Sequence, residues 1–278
     1  MKVYVMVDFE GATGFHEWDN CMSVDPLVVE KRNRLRKILT GEVNAAVEGL
    51  YAAGAAEIVI WDSHGPFNNC DNLYYEELNK EVWLIVGWKG LPEFFPLLDD
   101  SFSAGVYIGG HAMKGTPNAV TPHTCNELNG MKLGEVGMFA AMCGWHKVPM
   151  IFISGDSTTI EEVKQVVPDV RYAITKESFG PYAIKTRMPK KSQELIRIET
   201  EKALKNVKNI KPFVIKPPFV YKLGKNEVKG DNLRKVHFDA LVGWTQFGTQ
   251  EVEPELGRYD KKLNEWLKEK SFLGPDHV

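Results

Sequence analysis

Short, continuous apolar runs alternate along the first half of the chain with stretches whose apolar positions recur at helical spacing. Val3 to Val7 reads as a buried strand. From about Leu35 to Leu50 the residues Leu35, Ile38, Leu39, Val43, Ala46, Val47 and Leu50 fall on one helical stripe, and Gly54 sits where a helix C-cap belongs. Further strands are predicted at Ile58–Trp61, at Val82–Val86 ending in Gly87, and at Val106–Ile108 ending in Gly109-Gly110. A small-residue helix from about Gly134 to Trp145 leads into a strand at Pro149–Ile153. Continuous apolar strands separated by helices predict an α/β fold with a mostly parallel or mixed central sheet flanked by helices.

The pattern changes after about Met188. A charged helix is expected from Ser192 to Val207, then a proline-bearing stretch from Ile210 to Phe219, and a last helix near Leu263–Leu267. The sequence therefore reads as one α/β domain over 1–278. Residues 1–187 form its core, and 188–278 form a C-terminal subdomain or oligomer arm. No internal repeat or low-complexity tract interrupts it.

Composition narrows the function classes. The 278 residues carry 34 Lys and Arg against 37 Asp and Glu, a formal net charge of −3. So mild an imbalance leaves no electrostatic footprint for nucleic acid or an anionic membrane. No apolar run approaches the roughly 18 to 20 residues of a spanning helix, and Asp8 and Glu10 cut the N-terminal run short of a signal peptide. Cys21, Cys70, Cys125 and Cys143 form no C-x-x-C pair. Free thiols point to a reducing compartment, the cytoplasm.

Candidate chemistry gathers at the ends of the expected strands. Asp8 and Glu10 follow the first, His64 the second and His111 the Val106 strand, with His123 and Glu135 in the segment beyond. Ligand-binding groups of open α/β sheets collect at the carboxyl ends of strands. If the chain stays extended through Phe9, Asp8 and Glu10 point to the same side. Two carboxylates aimed at one point repel, and a divalent cation between them removes that cost. Carboxylate and imidazole donors without thiolate suit Zn²⁺, Mn²⁺ or Co²⁺. Asp8, Glu10, His64, His111 and Glu135 are too many for one open zinc site, and fit two metals bridged by a carboxylate.

Taken singly, each residue has a plainer reading. A carboxylate after a strand serves as a turn or cap residue, Asp62-Ser63-His64 can be a helix N-cap, and Glu135 suits a helix start. Their convergence on three strand ends in the first half favours the metal reading. His16, His146, His237 and His277 lack that context and read as surface or satisfied histidines.

The same residues stand in fragments that resemble a known family, the zinc-dependent D-aminopeptidases encoded with dipeptide-transport operons. The fragments are Val7-Asp8-Phe9-Glu10-Gly11, Asp62-Ser63-His64, Gly110-His111-Ala112, Pro122-His123-Thr124 and Gly134-Glu135-Val136-Gly137, with Gly155-Asp156 and Lys176 beyond them. The resemblance covers about the first 190 residues well and the rest loosely. It implies a dinuclear zinc peptidase removing N-terminal D-amino acids from short peptides such as D-Ala-D-Ala. By position, Asp8 would bridge two zinc ions, Glu10 and His64 would complete one site, and His111 and Glu135 the other. His123 would be the catalytic histidine. The family's assembly implies a decamer of two stacked five-membered rings. Three positions depart from the family pattern: Met6, Ser157 and Pro181 stand where it has a serine, a second aspartate and a basic residue.

Two other readings remain open at the level of sequence. A dinuclear hydrolase of another class, a phosphoesterase or amidase, uses the same ligand types, although no Gly-rich phosphate loop is present. A non-catalytic peptide-binding protein with a structural metal would bind dipeptides without turnover. Glu127, near His123 in sequence, is a candidate anchor for a substrate amino group.

Overall fold

The computed structural model describes residues 1–18, 23–65, 71–87 and 94–247, with backbone alone for 242–247. Cys21, Cys70, His277 and the helix expected near Leu263–Leu267 lie outside the described residues. The expected α/β fold forms. The chain divides into two compact units, the first made of Met1–Gly87, Phe95–Cys125 and Leu133–Ile215, the second of Trp88–Phe94, Asn126–Lys132 and Lys216–Val278.

The first unit is built on a seven-stranded sheet. Its strands are β1 (Lys2–Val7), β2 (Glu57–Asp62), β3 (Trp83–Val86), β4 (Ala104–Gly110), β7 (Met150–Asp156), β8 (Arg171–Ser178) and β9 (Ile184–Thr186), in the order β3-β2-β1-β4-β7-β8-β9. All neighbours run parallel except β8 and β9. Apart from half-buried Lys2 and Glu57 at their starts, β1, β2, β4 and β7 are buried at every position, so helices cover both faces of these strands. That explains why they read as unbroken apolar runs rather than alternating ones.

Among the described residues, four α-helices belong to this unit: α1 (Pro26–Ala52), α2 (Glu135–Trp145), α3 (Ser157–Lys164) and α4 (Pro189–Lys205). The apolar stripe predicted from Leu35 marks only the buried second half of α1. Its first half starts at the Asp25 cap, whose side chain accepts from Leu27 N, and is exposed or half-buried, so no stripe announces it. α1 and α4 cross where side chains are smallest. A Cβ on Gly49 would lie 2.3 Å from the Arg197 carbonyl oxygen. α2 lays Phe139 and Cys143 against Gly105 of β4; the Phe139 ring is fully buried, worth about 1.5–3 kcal/mol.

The second unit is organised round a four-stranded sheet in the order β11-β10-β5-β6, from β5 (Asn126–Leu128), β6 (Met131–Leu133), β10 (Phe219–Leu223) and β11 (Asn226–Gly230), followed by α5 (Leu233–Phe247). Phe219, Tyr221 and Leu223 are buried in alternation along β10. His237 of α5 is buried between the rings of Phe94 and Tyr221.

The first sheet has its topological switch between β1 and β4. From β1 the chain adds β2 and β3 on one side, and β4 and β7 on the other. A crevice at the carboxyl ends of the strands is expected there.

Candidate metal centre

Asp8, His64 and His111 follow β1, β2 and β4 at that switch point. β1 ends at Val7, so Asp8 and Glu10 are not aligned by strand alternation as expected. A turn closed by Ala12 N donating to Phe9 O (3.1 Å), with Gly11 N donating to Gly109 O (2.7 Å), brings the two carboxylates together instead. A Cβ on Gly11 would fall 2.0 Å from the Gly110 carbonyl oxygen, so the turn packs directly on the β4 end. His64 Nδ1 lies 2.7 Å from Glu10 Oε2 and 3.4 Å from Asp8 Oδ1. The His64 loop is tied down by Asp62, which accepts from Asn72 N and Nδ2, while Asn72 Nδ2 also reaches His64 O at 2.8 Å. Burial, opposed by those bonds, pushes the Asp62 carboxyl up to about 6.

A second group faces the first. His111 Nε2 is 3.5 Å from both Asp8 Oδ2 and Glu135 Oε1, and His123 Nε2 is 3.6 Å from both Glu10 Oε1 and Glu135 Oε1. Glu135 is the first residue of α2, and Thr124 Oγ1 donates to its Oε1 at 2.7 Å. The Trp18 ring meets His123 edge-on. Thr121 and Thr124, either side of His123, have φ of 44° and 53°. β-branched residues rarely adopt that left-handed region, and such strain collects at functional sites.

Asp8, Glu10 and His64 offer ligand atoms within 4.8 Å of one another, as do His111, His123 and Glu135. The hydrogen bonds of the rings show what these groups suit. His111 Nδ1 faces Ala112 O at 2.9 Å and His123 Nδ1 faces Thr121 O at 3.0 Å. A carbonyl only accepts, so each Nδ1 carries the proton and each Nε2 of the neutral ring turns a lone pair toward carboxylates. Among the described residues, buried His111 Nε2 has no hydrogen-bond partner. Gaps of 3.5 to 3.6 Å are long for hydrogen bonds but close to the roughly 3.3 Å edge of a tetrahedron of ligands about 2.0–2.1 Å from zinc. The residues fit divalent cations.

Without a cation the ligands strain one another's ionisation. Burial, then the Glu10 carboxylate, raises the Asp8 carboxyl. Burial works against ionisation of Glu10, but the charges of His64 and His123 hold it well below the usual carboxylate range. Burial likewise opposes charge on His111, yet Glu135, Asp8 and Glu10 outweigh it and push the imidazole up to about 10.

All six residues singled out in the sequence stand in these two groups. Sequence reading missed the Tyr107 hydroxyl, which donates to Asp8 Oδ2 at 3.0 Å from within a continuous apolar strand. Residue 6 is a buried Met; Tyr107 and Phe9 N donate to Asp8. Glu127 pairs with Lys222 at 3.0 Å within the second unit.

Carboxylate and imidazole groups at the switch point of a helix-covered parallel sheet define a metalloenzyme of the α/β class. Comparison with known proteins narrows the class. The family model described as D-aminopeptidase matches residues 1–232. A D-aminopeptidase of Bacillus subtilis is 31% identical over 226 residues, 78% of each chain. A solved structure described as the Zn-dependent D-aminopeptidase DppA from Bacillus subtilis, a self-compartmentalizing protease, superposes with a TM-score of 0.77 at 25% identity, over 91% of this chain and all of that one. The chain belongs to the D-aminopeptidase family of peptide hydrolases.

Proposed function

We propose that the chain is a dinuclear zinc aminopeptidase acting on short peptides with an N-terminal D-residue, D-Ala-D-Ala among them. The observation that carries this reading is the way Asp8 divides its oxygens, Oδ1 toward His64 at 3.4 Å and Oδ2 toward His111 at 3.5 Å. A carboxylate with one oxygen facing each group is placed to be shared by two ions. Glu10 and His64 would complete one site, His111 and Glu135 the other. Mn²⁺ and Co²⁺ suit the same donors.

When bound, the metal pair supplies Lewis acidity, polarising a scissile carbonyl and making water more acidic. The protein's own groups do the rest. Tyr107 and Phe9 N hold the Asp8 carboxylate from behind, and Thr124 orients Glu135. His123 is the most exposed of the three imidazoles, its side chain 30% exposed against 14% for His64 and 1% for His111. It is placed to meet substrate, to take at Nε2 a proton from the attacking water and to pass that proton to the leaving amine. Such a group is worth typically 10²- to 10⁴-fold in rate.

The compartment we assign is the cytoplasm, on cysteine usage; among the described residues no helix is long and apolar enough to cross a membrane. The assembly we assign is a decamer of two stacked five-membered rings, supported by the solved relative's description as self-compartmentalizing.

The test is amine release from D-Ala-D-Ala and L-Ala-L-Ala by zinc-loaded protein, with a chelator-treated control. Chelator-sensitive cleavage of the D-peptide alone is the expected result. Cleavage of neither, with two zinc ions tightly bound, discards the substrate and keeps the centre.

A further inference from the structure

Two charged side chains, buried Lys176 and half-buried Glu162, bond to no ligand side chain, yet each grips the backbone that carries one ligand group. Lys176, 1% exposed on β8, donates to the carbonyl oxygens of Glu10, Ala12 (3.3 Å) and Phe15 (2.8 Å). Those three acceptors belong to the segment that follows β1 and presents Asp8 and Glu10. An ammonium has three N–H bonds, and here each has a carbonyl to meet. The neighbouring Thr175 hydroxyl takes Gly11 O at 2.7 Å. The 10–15 segment has no strand or helix of its own to pair these carbonyls, and buried carbonyls require partners.

Glu162 does the converse with its two oxygens. Oε2 accepts from Met113 N at 2.9 Å, two residues after His111, and Oε1 accepts from Gly134 N at 3.0 Å, the residue before Glu135. The contact is close enough that a Cβ on Gly134 would lie 2.3 Å from Oε1. Thr159, one turn earlier on α3, donates to His111 O at 2.7 Å. Residues three apart share a helix face. One face of α3 therefore spans from the end of β4 to the start of α2, and fixes the separation of His111 from Glu135.

We propose that Lys176 and Glu162 are positioning residues of the metal centre, one for each ligand group. Lys176 sets the segment bearing Asp8 and Glu10, and Glu162 sets the backbone bearing His111 and Glu135. This rests on the two-ion reading above. It adds that the two ions are supported separately, by a cation on one side and an anion on the other. Outer partners of metal ligands typically change metal affinity by 10- to 100-fold when removed.

The experiment is zinc titration of the metal-free full chain against a chromophoric chelator, with circular dichroism as a check of folding. H64A marks the ion held by the first group and E135A the ion held by the second. Glu162→Gln preserves size but replaces one accepting oxygen with an amide N–H that faces another N–H. It is expected to weaken the ion lost in E135A by about 10- to 100-fold, and to leave the other at wild-type affinity. Lys176→Met is expected to weaken the ion lost in H64A by about 10- to 100-fold, and the other by less, through the shared Asp8. Should Lys176→Met fail to fold, T159V and E162Q carry the test on the α3 side.

Wild-type affinity at both ions in folded E162Q and T159V overturns the proposal, and so does an equal loss at both. A wild type that binds a single zinc overturns the two-ion reading instead. The positioning role is then judged on that ion, which E162Q must weaken if E135A abolishes it, and Lys176→Met must weaken if H64A does.

Discussion

The imidazole rings of His111 and His123 stack face to face, with centroids 3.8 Å apart and planes inclined by 12°. Both Nε2 atoms face the same Glu135 oxygen, at 3.5 and 3.6 Å. Two imidazolium rings in that arrangement would repel, whereas neutral rings with parallel lone pairs suit a shared task beside a cation. The two rings differ in access: His111 is sealed, and His123 reaches the surface.

That difference predicts separable phenotypes. His111→Ala and Glu135→Ala lose bound metal and turnover together. His123→Ala keeps its metal and loses roughly 10²- to 10⁴-fold in kcat on D-Ala-D-Ala. Metal content and steady-state hydrolysis measured on the same preparations decide it. Near-normal turnover of His123→Ala would sink the proton-transfer role, and loss of metal would make the residue a ligand.

Tyr107→Phe removes the hydroxyl that donates to Asp8 Oδ2 and nothing else of the ring, which packs edge-on against Phe139. We expect roughly tenfold weaker zinc binding with folding stability changed by no more than about 1.5 kcal/mol. Chelator competition and urea unfolding are the two measurements. Unchanged affinity would show that Phe9 N alone suffices to hold the carboxylate.

Gly109 has φ of 81°, and a Cβ there would lie 2.1 Å from the Asp8 carbonyl oxygen. Gly109→Ala thus combines a left-handed backbone with a clash against the residue that presents Asp8, at a cost of about 2 to 4 kcal/mol together with weakened metal binding. Gly54, with φ of 89° and no atom within 4 Å of such a Cβ, is the control. Gly54→Ala should lose only about 1 kcal/mol and no metal affinity. Equal effects of the two changes in thermal melts would remove the argument from close approach.

Glu42 is fully buried on α1, where Oε1 accepts from Thr13 N at 3.1 Å and Oε2 has no hydrogen-bond partner among the described residues. Burial raises its carboxyl from 4.5 to about 7, against the opposing pull of Thr13 and Lys176. The folded chain therefore binds more protons than the unfolded chain between about pH 4.5 and 7. Stability falls as pH rises through that window, by a few kcal/mol in order of magnitude. Glu42→Gln keeps the acceptor for Thr13 and should flatten the dependence. Urea unfolding of metal-free protein at pH 5 and pH 8 tests it; a wild type as stable at pH 8 as at pH 5 refutes it.

Much of this architecture was legible one residue at a time. A central strand buried on both faces must be apolar throughout, which is why β1, β2, β4 and β7 stood out, and residues beyond their ends could be read as ligand types. The strand β8 left no such mark. It mixes Arg171, Thr175 and Lys176 with apolar residues, and the burial of Lys176 depends on three carbonyls from a segment more than 150 positions away. The helix α3 is short, but Asp156 capping Thr158 N, with Ile160 and Val163 three apart, was a signal that could have found it.

By itself the sequence determined which residues carry charge and ligand atoms, which stretches must be buried, and that strand ends would present the chemistry. Only the tertiary structure decided how those atoms face one another. The Asp8–Glu10 pairing comes from a turn packed on Gly109 and Gly110 rather than from strand alternation. The opposition of His64 and His111 across Asp8 comes from the β2-β1-β4 order. Periodicity reports which side of an element is buried, whereas distances between side chains from different strands depend on the close approach of backbones that no local pattern encodes.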